Sequence, residues 1–101
     1  MSTKKSLTKL MTEEFGPASF GTFLTAARAS KDLSQVEMAK TLKISRSTLC
    51  DIEKGRHLVS PSLASKIARI CGLSEALAIA LALQDQIRKA KLKFKVQVEA
   101  A

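Results

Sequence analysis

The apolar positions of the chain recur at helical spacing as far as about residue 90, then switch to strict alternation. The most informative stretch runs from Gln35 to Gly55, QVEMAKTLKISRSTLCDIEKG. Met38, Ala39 and Leu42 form one short apolar face that ends near Lys43. Leu49 and Ile52, three apart, form a second on a helix that begins at Ser45 or Arg46. Ser34 supplies an N-cap hydroxyl for the first helix, and Glu37 three residues later completes a capping box. Leu33 and Met38 occupy the positions of a hydrophobic staple. Gly55 ends the second helix with a residue free to take positive φ. Two short helices joined by a tight turn are the result, and the small Ala39 lets them cross closely.

The same reading extends in both directions. Ser19 or Thr22 starts a helix whose inner face is Phe20, Phe23, Leu24 and Ala27, ending near Asp32. Ser60-Pro61 places a cap ahead of a proline at the first helical position, where its missing N–H costs nothing. Leu63, Ala64, Ile67, Ala68 and Ile70 then read as core-facing, and Gly72 closes the helix. Ser74 caps a last helix, with Glu75 in its first turn. There Leu77 and Leu81 share one face and Ile79 and Leu83 another, so one face is expected on the core and the other on a partner. Leu92, Phe94, Val96 and Val98 alternate with Lys93, Lys95, Gln97 and Glu99, the signature of a half-buried strand. A single strand is not stable alone, so it requires a symmetry mate, another part of the chain or a different protein. Leu7, Leu10, Met11 and Phe15 predict a weak amphipathic helix behind a basic tail of Lys4, Lys5 and Lys9, broken by Gly16-Pro17.

The fold class expected is therefore all-α, a compact bundle of about five helices with a short C-terminal β-strand. Its parts are a basic tail and weak helix over 1–18, the helical domain over 19–90, and a strand or tail for dimer or partner contact over 91–101. A chain of 101 residues has room for one domain, and 46% hydrophobic residues favour a folded state.

Charge narrows the partner. The net charge is +8, which favours a polyanion. With no Trp or Tyr and four Phe, the chain lacks the exposed aromatic platform of single-strand binders, so duplex DNA is preferred to single strands. Cys50 and Cys71 with one histidine make neither a zinc set nor a disulfide framework, and reduced thiols fit a cytoplasmic setting. The start has no apolar signal core, and the longest apolar run, Ala76 to Leu83, is too short to span a bilayer, so no membrane role is expected. No catalytic constellation, glycine-rich phosphate loop or metal-ligand cluster can be assembled. The expectation is no enzyme, no metal and no cofactor.

Gln35, Glu37, Ala39, Leu42, Ile44, Leu49, Ile52, Glu53 and Gly55 together resemble the helix-turn-helix of the lambda-repressor-like (Cro-like, XRE) DNA-binding family. The likeness runs roughly from Phe20 to Leu83. It departs at Lys43, where family members usually carry glycine. The resemblance implies that the second motif helix, residues 45–54, enters the major groove. Ser45, Arg46 and Ser47 are then its early outward positions, with Arg46 the best candidate to donate two bonds to guanine O6 and N7. Asp51 falls at a position that often reaches bases; it either accepts from cytosine N4 or, as favoured here, orients Arg46 or Lys54. Gln35 is similar to the family's phosphate-clamping glutamine, whose amide can also steady a neighbour. Lys43, Lys54 and Arg56, with Lys40, are phosphate candidates. His57, in the loop after the motif, is expected near phosphate rather than in a metal site. Ile79, Leu83, Phe94 and Val96 are the candidate dimer or partner contacts. The function implied is a sequence-specific duplex-binding regulator, a dimeric repressor. The alternative is an antitoxin, since small members of this family also repress their own operon while holding a toxin through a terminal segment.

Overall fold

Serines set where the helices begin. The computed structural model describes residues 19–101 and contains five helices there: α1 Phe20–Ser30, α2 Gln35–Leu42, α3 Arg46–Glu53, α4 Pro61–Cys71 and α5 Glu75–Lys89. Each follows directly on a serine, at positions 19, 34, 45, 60 and 74, whose hydroxyl accepts the N–H of the third helical residue. That bond satisfies one of the unpaired donors of the first turn. Ser34 and Glu37 close a reciprocal capping box at 3.1 and 3.0 Å, as the sequence predicts. Ser19 and Thr22 close a second one. The weak helix expected from Leu7 to Phe15 lies outside the described residues.

Left-handed residues end the helices. Gly72 (φ 69°) follows α4 and Gly55 (φ 78°) follows α3. Lys43 takes φ 58° at the α2–α3 turn, so the departure from glycine leaves the turn's shape intact. After α5, Lys91 (φ 60°) reverses the chain. Its N–H donates to Arg88 O and the Leu92 N–H to Ile87 O, the paired bonds of a Schellman turn.

The core sits where α1, α3 and α4 converge on α2 and α5. Phe20, Leu24, Met38, Leu49, Ile52 and Ile67 are its largest fully buried side chains. The most extensive helix contact joins α4 to α5. Ala64 and Ala68 on one helix and Ala78 and Ala82 on the other are all buried there. At Gly21, an added Cβ would lie 2.5 Å from Ile52 O and 2.6 Å from Glu53 O. The absence of a side chain is what lets α1 rest on the end of α3. At the far end of α5, Asp85 Oδ2 accepts the Phe20 N–H at 3.0 Å and so anchors the start of α1. Burial pushes the Asp85 pKa up, against the opposing pull of that N–H and of Arg88.

Two expectations are corrected, and a third is not seen in the single chain. The buried face of α5 is Ala78 and Ala82, and both Ile79 and Leu81 flank it against the core. Ala78 and Ala82 lie about 40° apart at 100° per residue, between Ile79 and Leu81, so the helix packs through its small residues. Ile79 is therefore not on a free outer face, whereas Leu77 is 49% exposed and Leu83 half-buried. Ile70 is 41% exposed, because Cys71 continues the Ala64–Ile67–Ala68 face and takes the place expected for it. Finally, residues 92–101 form no strand among the described residues. A lone segment has no backbone edge to pair with, and here a side chain substitutes: Gln84 Nε2 donates to Phe94 O and Gln84 Oε1 accepts from Val96 N, both at 2.8 Å.

Candidate nucleic-acid interface

The α2–α3 pair is clamped from behind. Leu49 and Ile52 bury the inner side of α3. Glu53, at its last turn, is almost wholly covered and takes a two-pronged bond from Arg28 of α1, Nε at 2.8 Å and Nη2 at 3.2 Å. The same guanidinium donates from Nη1 to Leu33 O at 3.0 Å, just ahead of α2. Gln35 Nε2 donates to Glu53 Oε1 at 3.1 Å. One arginine thus ties together the ends of α1, α2 and α3. The Glu53 hydrogen bond holds the Arg28 guanidinium still more firmly protonated than usual. A paired, hydrogen-bonded charge of this kind is stable where an isolated one would not be.

With its back fixed, α3 turns its opposite side to solvent. Arg46 and Ser47 are exposed at its first turn, and Arg46 makes no ion pair among the described residues. Lys40, Lys43 and Lys54 are exposed around the same helices and also lack carboxylate partners.

The model of the helix-turn-helix domain family matches residues 19–81. The chain belongs to the helix-turn-helix domain family. A 10 kDa protein of the ImmF control region of Bacillus phage phi105 is 45% identical over 53 residues, 52% of this chain and 59% of the phage protein. An uncharacterized HTH-type transcriptional regulator of Methanocaldococcus jannaschii is 46% identical over 46 residues, 46% of this chain and 70% of that protein. The chain thus spans less than two thirds of the phage protein's length. No solved structure matches at a comparable level. The family assignment agrees with the resemblance read from Gln35 to Gly55.

Within this helix-turn-helix domain the expected site residues separate into groups. Ser45, expected to read bases, is the N-cap of α3: its hydroxyl accepts Thr48 N at 3.0 Å and donates to Thr48 Oγ1 at 2.8 Å. Ser47 Oγ lies 3.3 Å from Ser45 Oγ, so the first turn carries a linked pair of hydroxyls beside Arg46. Asp51 does orient a cation, but the cation is Arg56, not Arg46 or Lys54. Its Oδ1 accepts Arg56 Nε at 3.0 Å, while its carbonyl accepts the N–H groups of Arg56 and His57. The reason is the reversal at Gly55, which folds the following loop back over the last turn of α3. Arg56 Nη2 also lies 3.9 Å from Cys50 Sγ. Gln35, expected at phosphate, has its side-chain amide engaged on Glu53.

Pattern reading missed the clamp itself. Arg28 was legible only as a basic helix residue, and Glu53 only as a matched position. The available signal was Glu53 immediately before the Lys54-Gly55 terminus, on a helix whose other inward residues are apolar. Gly21 was also missed, although a glycine inside a helix is a local cost that calls for a packing reason. Cys71 is buried in the core, and burial pushes its thiol pKa up. The described residues contain no group of three or more His, Cys, Asp or Glu placed to hold a metal ion. None of their helices is long and apolar enough to cross a membrane.

Proposed function

We propose that the chain is a sequence-specific duplex-DNA-binding regulator that acts as a dimeric repressor, with α3 in the major groove. The observation that carries this reading is the exposed, unpaired Arg46 beside Ser47 on the first turn of a helix clamped from behind by Arg28 and Glu53. A rigid helix with its first turn free is the geometry of groove reading. Arg46 donates to guanine O6 and N7, and Ser47 contacts a neighbouring base edge. The α2 N-terminus at Gln35 faces phosphate, and Lys43, Lys54 and Arg56 fix the register on the backbone without carrying sequence information. Asp51 acts through Arg56, setting where that guanidinium lies. Its likeness to a phage control-region protein and to a transcriptional regulator supports the regulatory part. Occupying a promoter excludes polymerase, so repression is the default outcome.

The test is a titration of a fluorescent duplex carrying the gene's own upstream region, with a scrambled duplex as competitor. Binding that resists the competitor, on a site with two-fold symmetry, is expected. Replacing Arg46 by Ala should cost about 1–3 kcal/mol at one base position of that site. Equal binding to both duplexes, or an Arg46→Ala protein with unchanged preference among site variants, would refute the reading.

A further inference from the structure

Two groups on the C-terminal tail point the same way and are held by one side chain. Gln84 of α5 bonds the carbonyl of Phe94 and the N–H of Val96, each at 2.8 Å. In an extended chain the C=O of one residue and the N–H of the next but one lie on the same edge. The glutamine amide therefore occupies one edge of residues 94–96 as a neighbouring strand would. By the same alternation the N–H and C=O groups of Lys93, Lys95 and Gln97 belong to the opposite edge, and no partner for them is found among the described residues. Above them the alternating apolar row is incompletely covered. Val96 and Val98 are half-buried, whereas Leu92 is 51% and Phe94 69% exposed.

We infer that this free edge pairs antiparallel with the same edge of a second copy of the chain, on a two-fold axis through Val96. The inference rests on the dimeric reading above and specifies its interface. The partner follows from the sequence of the edge, which is most fully complementary to itself with Val96 on the axis. With Val96 opposite Val96, Lys93 faces Glu99 and Lys95 faces Gln97, and the exposed Phe94 faces Val98. Opposite charges and aromatic with β-branched pairs are the favourable cross-strand combinations. Shifting the axis to Lys95 sets that lysine against its own copy. Shifting it to Gln97 keeps Val96 opposite Val98 and sets Lys95 against Glu99, but it places Phe94 against Ala100 and Lys93 against Ala101, so the aromatic with β-branched pair is lost and the paired segment is shorter. The residues that would carry the backbone bonds are Lys93, Lys95, Gln97 and Glu99, and they share the edge that Gln84 leaves open. The strand expected from the alternating pattern is formed only when two tails meet, which accounts for its absence in one chain.

Cross-linking reads the register directly. Residues facing each other without mutual backbone bonds have Cα atoms about 4.5 Å apart, within reach of a disulfide. In a Cys50→Ser background without DNA, Val96→Cys should oxidise to a covalent dimer. Lys95→Cys and Gln97→Cys should do so far less. In sedimentation equilibrium of the full chain, Lys93→Glu should raise the dimer dissociation constant about tenfold. Adding Glu99→Lys to it should restore the original value. A Val96→Cys protein that remains monomeric on oxidation, or that links less than the other two, overturns the proposal. So does a dimer indifferent to Lys93→Glu, which would place self-association elsewhere and leave the tail to a different protein. These measurements need no DNA. A chain that pairs through Val96 yet treats both duplexes alike would sink the repressor reading and leave this one standing.

Discussion

Lys43 shows what one residue contributes and costs. It holds φ 58° so that α2 can stop at Leu42 and α3 can start at Arg46, three residues after the turn lysine. A Cβ in that region is strained, by roughly 1 kcal/mol against glycine. Lys43→Gly should accordingly raise stability by no more than about 0.5 kcal/mol in urea unfolding, because the entropy glycine adds to the unfolded chain, about 0.4–1 kcal/mol, offsets most of the relieved strain. The lysine is kept against that strain, which fits its place among the exposed cations around α3. Glu37 carries a different kind of local information. The Ser34 N–H and hydroxyl hold its carboxyl pKa below the ordinary value of 4.5. The folded state therefore binds this proton less readily than the unfolded chain. The stabilisation is present above the unfolded pKa and is lost as pH falls through the lower folded pKa. Glu37→Gln should be less stable than the native chain at neutral pH and should converge with it in acid. Urea midpoints measured across that window decide it, and a constant difference would show that the cap acts by shape alone.

At the scale of elements, what the sequence makes legible is local. Each helix start is marked by a serine, and each of the turns after α3 and α4 by a glycine. These signals lie within four residues of the event they control, so period and capping rules recover them. Contacts made across space are different. Arg28 and Glu53 are 25 residues apart, and Phe20 and Asp85 are 65 apart. No periodicity links such pairs. The misreading of α5 has the same origin. Leucine and isoleucine outweigh alanine in any apolar count, but α4 lies too close for large side chains, so Ala78 and Ala82 take the buried face. Of the interface, the outward positions of α3 were readable from helical geometry. The true partner of Asp51 was not, because it depends on how the chain folds back after Gly55. The clamp gives the sharpest test at this scale. Arg28→Met removes the cation and leaves the covered Glu53 with Gln35 as its side-chain partner, which should cost about 3 kcal/mol. Thermal unfolding reads that loss. A change under 0.5 kcal/mol would mean that α3 is held by Leu49 and Ile52 alone.

For the whole molecule the question is how its charge is spent. The segment 34–56 carries five basic and three acidic residues. All three acids are engaged within the protein: Glu37 caps α2, Asp51 holds Arg56, and Glu53 holds Arg28. Lys40, Lys43, Arg46 and Lys54 are left to set the field of that face, and the net charge of +8 reinforces it. A phosphate contact by any of these residues displaces condensed counterions, so the affinity for duplex falls with salt at a logarithmic slope of about 0.9 per contact. This makes the salt dependence a count of chains as well as of contacts. If one chain binds, Lys54→Ala should flatten the slope by about 0.9. If two chains bind symmetrically, both copies lose the contact and the slope should flatten by about 1.8. Binding isotherms over a range of salt, for the native chain and for Lys54→Ala, separate the two. The larger value is expected. Disrupting the tail pairing with Lys93→Glu, at protein concentrations where that variant is monomeric in solution, should weaken duplex binding through the added cost of assembly. An undiminished apparent affinity in that variant would mean that the two copies bind without help from their tails.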